Sequence, residues 1–384
     1  MADDTSSNPW DSDTLLPEAP SPETYGFESG GQWQTCSREE LIERCSRQDA
    51  FRTPITLVWA PGSPRVLPVT EVPFLASAVE ARLREAFKLA VFNVAAGSFI
   101  AFMDYAAGPG KDGRPDWPMW FALMILPGVQ SLLDIAATRR ARQPLLDQPP
   151  PWPRDVTARF GFWVASRPVK VTAALAIAIA AVGLGQLWTG AASIEAAGLV
   201  KPAVRAGEVW RLLTAGLLHG GVWHFFGNMA ALLVLGGLVE RLTDWSRMAF
   251  VFVLSVAVGS VFSLVLLPDA TSVGASGGLM GLLGFLVVVG FRLRPRLPPH
   301  FRGVLVKGIL WIALTGLVAH QIIDNAAHLG GLIAGLALGL ILLPRGGTLP
   351  LPGTRASRGV GAVCLAGSLL AAVASLGLML VATK

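Results

Sequence analysis

From about residue 86 onward, long apolar runs alternate with short polar loops. A helix that crosses a bilayer needs about 20 apolar residues. Runs of that kind occupy 87–106, 118–137, 171–192, 223–240, 248–267, 275–292, 303–320, 325–343 and 360–382. They predict nine spans, the first two interrupted near their ends by Asp104 and Asp134. Upstream the pattern changes. Residues 1–30 hold seven acidic residues and no Lys or Arg, spaced by Pro, Ser and Gly. That composition buries too little apolar surface to fold, so a disordered acidic tail is expected. Residues 31–85 predict a small soluble α/β module. In "SREELIERC", Ser37 is followed three residues later by Glu40, a capping-box pattern. "ITLVWAPGSPRVLPV" reads as strand, Pro-Gly turn, strand, and "LASAVEARLREAF" as an amphipathic helix. The expected fold class is an all-α polytopic membrane protein with this module at its N-terminus.

Composition agrees with the pattern. Hydrophobic residues make up 52% of the 384-residue chain and charged residues 15%, against about 25% charged in soluble domains. The net charge of +5 comes without a Lys/Arg tract interleaved with aromatics, so nucleic-acid binding has no support. Cys36, Cys45 and Cys364 lack metal-ligand spacing, and reduced thiols are expected of the first two. Met1 is followed by Asp3 and Asp4 rather than by a basic residue and an apolar core, so a cleaved signal peptide is not expected.

Orientation follows from the basic residues of the loops. Arg139, Arg140, Arg142, Arg154, Arg159, Arg167 and Lys170 crowd the 138–170 loop. Arg292, Arg294, Arg296 and Arg302 crowd the 292–302 loop, and Arg345, Arg355 and Arg358 follow residue 343. These loops are expected in the cytoplasm, with the N-terminus, in the cell (plasma or inner) membrane. Loops 193–222, 268–274 and 321–324 then lie outside. The domain divisions expected are 1–30 (tail), 31–85 (module), 86–170 (two additional transmembrane helices and a basic cytoplasmic linker), 171–343 (core) and 344–384 (linker and C-terminal transmembrane helix).

Polar groups within spans are costly and need a reason. By this topology Ser276, His328, and the His224/Asn228 pair open three spans from the outer side and share a depth. A serine hydroxyl becomes nucleophilic when a base takes its proton, and His is the usual base. Asn and His side chains and a helix-start N–H can stabilise the resulting oxyanion. Small residues let helices approach: Gly274, Gly277, Gly278, Gly281 and Gly284 on one, Ala327, Gly331, Gly335 and Gly339 on the other. Each feature alone reads as packing; their coincidence reads as a serine–histidine hydrolase. Asp324 either orients His328 or, with Asn325, caps the helix start. His219 is read as stabilising its loop by a hydrogen bond, with a place as a ligand or in the cavity as the alternative, and His300 is expected to be solvated. No H-E-x-x-H or paired intramembrane acids occur, so neither a metal nor another cofactor is expected.

"GEVWRLLTAGLLHGGVWHFFGNM" (Gly207–Met229), "GASG" (Gly274–Gly277) and "AHLGGLIAG" (Ala327–Gly335), in this order and spacing, resemble the signature segments of rhomboid intramembrane serine proteases. The resemblance covers roughly 171–343. It implies a six-helix core, to which 360–382 adds an extra C-terminal helix. It further implies Ser276 as nucleophile and His328 as base in a dyad without an acid. Asn228, His224 and the Ser276 N–H would form the oxyanion hole. Trp210 and Arg211 match the W-R pair of a loop that also holds Glu208, while Gly274, Gly277, Gly331 and Gly335 support the motifs. Met280 stands where many members carry an aromatic residue against the catalytic histidine; a thioether contact could substitute. The implied substrates are transmembrane segments of other proteins within the lipid bilayer. A catalytically silent relative that binds or sorts membrane clients is the alternative, and a cytoplasmic partner for the N-terminal module is a further open reading.

Overall fold

The computed structural model describes the chain except for residues 1–7, 13–14, 30–31, 47–54, 108–124, 126–127, 130, 134, 137–138, 140–154, 299–300, 319–322, 346–348 and 383–384. Two compact units result: Met1–Trp163 with Leu317–Ala319, and the rest of the chain.

The first unit is built on a four-stranded antiparallel sheet. Strands β1 (Tyr25–Ser29), β2 (Gln32–Cys36), β3 (Leu57–Trp59) and β4 (Leu67–Pro68) lie in the order β2-β1-β3-β4. The turn between β3 and β4 uses Gly62 at φ +83°, where a side chain would be strained. Every β3 residue is apolar because both sheet faces are covered. Val58 packs with Phe27, Leu41 and Leu75 on one face, while Leu57 and Trp59 pack with Leu16 and Val66 on the other. Helix α1 (Arg38–Ser46) starts as the capping pattern predicts, with the Glu40 N–H donating to Ser37 Oγ at 3.1 Å. Burial pushes the Cys45 thiol up to about 11, so it stays protonated.

Helix α2 (Ala76–Ala107) begins in this core, with Ala78 and Val79 buried, and continues as an apolar rod exposing Phe92, Phe99, Phe102 and Tyr105. Such a surface suits lipid. Helix α3 (Val156–Ala165) packs Phe160 and Trp163 edge-on against Trp10.

Two expectations change here. Residues 1–30 are not a wholly disordered tail. Trp10 and Leu16 are buried, and β1 lies inside the sheet. A few apolar side chains spaced among the acids anchor the segment, which mean composition conceals. Arg159, expected in a cytoplasmic basic loop, is buried and forks onto Glu71, Nε to Oε1 at 2.7 Å and Nη2 to Oε2 at 2.9 Å. Its charge is spent inside the first unit rather than on the loop surface.

The second unit is helical. Helix α4 (Lys170–Thr189) leads to three short helices, α5 (Ala192–Ala197), α6 (Lys201–Arg205) and α7 (Arg211–Thr214). Then come α8 (Val222–Leu242), with a π-helical stretch at Leu232–Gly236, and α9 (Trp245–Leu266). The remainder is α10 (Ser276–Arg292), most of α11 (Phe301–Val318), α12 (Asn325–Leu342) and α13 (Arg355–Ala382).

Helices coincide with every expected span except 118–137, most of which lies outside the described residues. Among the described residues six helices are long and apolar enough to cross a membrane: Pro73–Ala106, α4, α8, α9, α12 and α13, with α10 a shorter apolar helix. Side chains cap two of them, one from distant sequence and one from the residue just before the helix. Glu240 on α8 accepts from the Val171 N–H, the Thr172 N–H and the Thr172 hydroxyl at the start of α4, at 3.1, 2.9 and 2.7 Å. Asp244 caps α9 and also accepts from Arg247, which donates onward to the Leu351 carbonyl.

Candidate active site

Helices α9, α10 and α12 pack tightly through glycine. A Cβ at Gly331 would lie 2.0 Å from the Gly277 carbonyl oxygen, and one at Gly335 1.9 Å from that of Gly281. A Cβ at Gly259 of α9 would lie 2.7 Å from the Ala327 oxygen. The pairs Gly277–Gly331 and Gly281–Gly335 advance together, so α10 and α12 run parallel and start at the same end. Their common offset sets Ser276 level with Gly330. His328 is two residues earlier, about 3 Å along the axis. Ser276 and His328 therefore both lie in the first turns of two parallel helices that start at one end. Among the described residues no hydrogen bond joins them, and His328 Nδ1 is buried without a partner. Catalytic hydrogen bonds are commonly long before substrate arrives.

His224 and Asn228 come from α8. A Cβ at Gly274 would lie 2.7 Å from His224 Cε1, 2.9 Å from its Nε2 and 3.5 Å from Asn228 Nδ2. Only glycine admits that approach, and Gly274 also needs its φ of +131°. The Asn228 amide nitrogen is buried and unpaired, a free donor beside Gly274, which is two residues before Ser276. The π-helical stretch follows Asn228 by one turn.

The loop before Ser276 is pinned at two points. The Gly274 N–H donates to Ala215 O at 2.9 Å, and Ser272 and Leu199 exchange both backbone hydrogen bonds, at 2.9 and 3.4 Å. Arg211 secures the other side of that bridge. It is 6% exposed and donates to the Gly198 carbonyl at 2.8 Å, the Glu195 carbonyl at 2.9 Å and Glu208 at 2.7 Å. Trp210, beside it, is exposed, as suits an aromatic ring at a membrane interface.

Asp324 caps α12. Its Oδ1 accepts from the Ala327 N–H at 2.8 Å and its Oδ2 from the Ser263 hydroxyl. The structure thus shows the cap that the sequence left open for Asp324, and among the described residues no side-chain hydrogen bond joins Asp324 to the His328 ring. His219 departs from expectation. Its ring meets the edges of His224 and Phe225. Neither ring nitrogen completes a hydrogen bond, and burial, with His224 adding to it and the Leu217 carbonyl opposing, pushes its pKa down to about 3, so the ring is neutral. The loop is held instead through the His219 backbone: Gln186 accepts from its N–H at 2.8 Å and donates to its carbonyl at 3.0 Å. Gln186 is a polar residue within an apolar run, and that anomaly could have flagged it. Met280 is buried one turn after Ser276. His300 lies outside the described residues. Among the described residues no group of three or more His, Cys, Asp or Glu could hold a metal ion.

Residues 206–345 match the family model described as a Rhomboid domain. The chain carries a rhomboid domain. It runs from just before α7 through α12, so α4 and α13, which pack against the same unit, lie outside the matched residues. RHOMBOID-like protein 4 of Arabidopsis thaliana is 37% identical over 147 residues, covering 38% of this chain and 37% of that protein. Rhomboid protease GluP of Bacillus subtilis is 36% identical over 148 residues, 38% and 28% of the two chains. Inactive rhomboid protein 2 of Homo sapiens is 32% identical over 139 residues, 36% and 16% of the two chains. The chain spans less than half the length of these relatives. The rhomboid domain and the six apolar helices together make this a multi-pass integral membrane protein.

Proposed function

We propose that the rhomboid domain is an intramembrane serine endopeptidase that cleaves transmembrane segments of other membrane proteins with Ser276 and His328. The parallel, glycine-paired start of α10 and α12 carries this reading, because it brings a hydroxyl and an imidazole to one end of one crossing. His328 takes the Ser276 proton as the hydroxyl attacks the scissile carbonyl. The oxyanion accepts hydrogen bonds from Asn228 Nδ2, His224 and the Ser276 N–H, the last at a helix start where negative charge is favoured. His328 passes the proton to the leaving amine, and water then releases the acyl group from Ser276. No metal or cofactor takes part.

The site opens to the outer face in the orientation set by the basic loops, with the N-terminus cytoplasmic and the chain in the cell membrane. Residues 171–343 act as the protease core. The module at 31–85 and the helices before 171 are accessory, with a cytoplasmic partner the fitting role for the module.

A second reading, a silent binder of membrane clients, is favoured by the unjoined Ser276 and His328 and by the similarity to an inactive rhomboid protein. Purified chain and its Ser276→Ala variant are each incubated with a transmembrane reporter and with a fluorophosphonate. Cleavage and labelling by the wild type alone support the protease. Equal cleavage by both overturns it, and reporter binding without cleavage by either supports the binder.

A further inference from the structure

Four polar side chains outside the proposed catalytic set form one continuous line. Lys201, at the start of α6, is 1% exposed. Its ammonium donates to the Leu267 carbonyl at 2.6 Å and to Ser272 Oγ at 3.3 Å. Ser272 Oγ lies 3.0 Å from Ser263 Oγ, and the Ser263 hydroxyl donates to Asp324 Oδ2.

Chemistry fixes the direction of the line. An ammonium can only donate and a carboxylate can only accept. Each hydroxyl between them therefore accepts from the lysine side and donates toward Asp324. Burial lowers the Lys201 pKa, and Asp324 counters that by favouring the charged form. The two ends of the line are a compensated charge pair held apart by two hydroxyls.

The line also joins two particular places. Ser272 is four residues before Ser276, and Asp324 is four residues before His328 on α12, whose start it caps. We propose that Lys201 is a positioning residue for the Ser276–His328 pair, acting through Ser272, Ser263 and Asp324. The inference rests on the protease reading of that site. Lys201 touches no reacting atom. It fixes where the serine loop stands relative to the start of the histidine helix, and a misplacement of about 1 Å can cost on the order of a hundredfold in rate.

The test uses the full chain in detergent with the transmembrane reporter. Lys201→Met and Ser263→Ala are each expected to lower kcat about tenfold while KM holds. The double variant should be no slower than the slower single, because the line acts as one unit. Unchanged kcat, a rise in KM alone, or fully multiplicative losses would overturn the proposal. Should Lys201→Met fail to fold, Ser263→Ala, which removes one hydroxyl, carries the same expectation. Should the wild type show no Ser276-dependent turnover, the protease reading falls. The line is then tested by melting temperatures of Lys201→Met, Asp324→Asn and the double variant. Additive shifts would refute it, and non-additive shifts would leave the line intact without a catalytic role.

Discussion

Gly331→Ala isolates the helix crossing from the chemistry, because it adds one methyl and removes nothing. That methyl would sit 2.0 Å from the Gly277 oxygen, 2.7 Å from its carbonyl carbon and 3.0 Å from its Cα. All three obstacles are backbone, so no rotamer change relieves them, and ordinary contact begins near 3.4 Å. Helices α10 and α12 must part by on the order of 1 Å, since packed backbones resist closer overlap. Overpacking of this kind costs about 1–3 kcal/mol. The same displacement separates Ser276 from His328, and a shift of about 1 Å can lower a rate on the order of a hundredfold. Gly367→Ala on α13 is the control, since a methyl there meets nothing within 4 Å. Alanine is also the better helix former, by about 0.8–1 kcal/mol. The assay is the rate of fluorophosphonate labelling of purified protein, with a melting curve on each variant. Gly331→Ala should label far more slowly and melt earlier, and Gly367→Ala should match the wild type in rate. Wild-type labelling by Gly331→Ala would refute the claim that the glycine crossing sets the pair.

Asn228→Ala removes the unpaired amide beside Gly274; with one oxyanion donor lost, kcat should fall about 10²–10³-fold with little change in KM, read on the same reporter. Arg159→Met leaves Glu71 buried without its partner and should destabilise the first unit by about 3–5 kcal/mol, read by thermal melting, whereas adding Glu71→Leu should recover most of the loss.

The helices were legible because bilayer thickness imposes one length on every apolar run, and because basic residues mark loops. The four principal site residues stood out for a related reason, being polar groups that an apolar run excludes unless they have a use. The glycine spacing on α10 and α12, with both spans opening from one side, predicts two backbones meeting in parallel, and the structure adds which glycines pair, Gly277 with Gly331 and Gly281 with Gly335. Pairing across the fold was not legible. Glu71 and Arg159, or Ser263 and Asp324, are distant in sequence and carry no local signal of their partnership. Nothing local marks Lys201 either, which is buried because a carbonyl and a hydroxyl receive it. Averages misled at the N-terminus, where Trp10 and Leu16 outweigh the acids around them.

The cap on α4 has a consequence for the order of assembly. Glu240 is made 69 residues after Val171, whose N–H it receives. At translation rates of about 5–20 residues per second, α4 exists for roughly 3–14 s before its cap has been synthesised. During that interval the N–H groups of Val171 and Thr172 depend on water or lipid headgroups, which confines that end of α4 to the membrane surface. The arrival of α8 releases this constraint and replaces it with a carboxylate. The pair of α4 and α8 is thus completed at its open end, away from the connection between them, by the last turn of the second helix, and the register between the two is checked only when the nascent chain has passed through both.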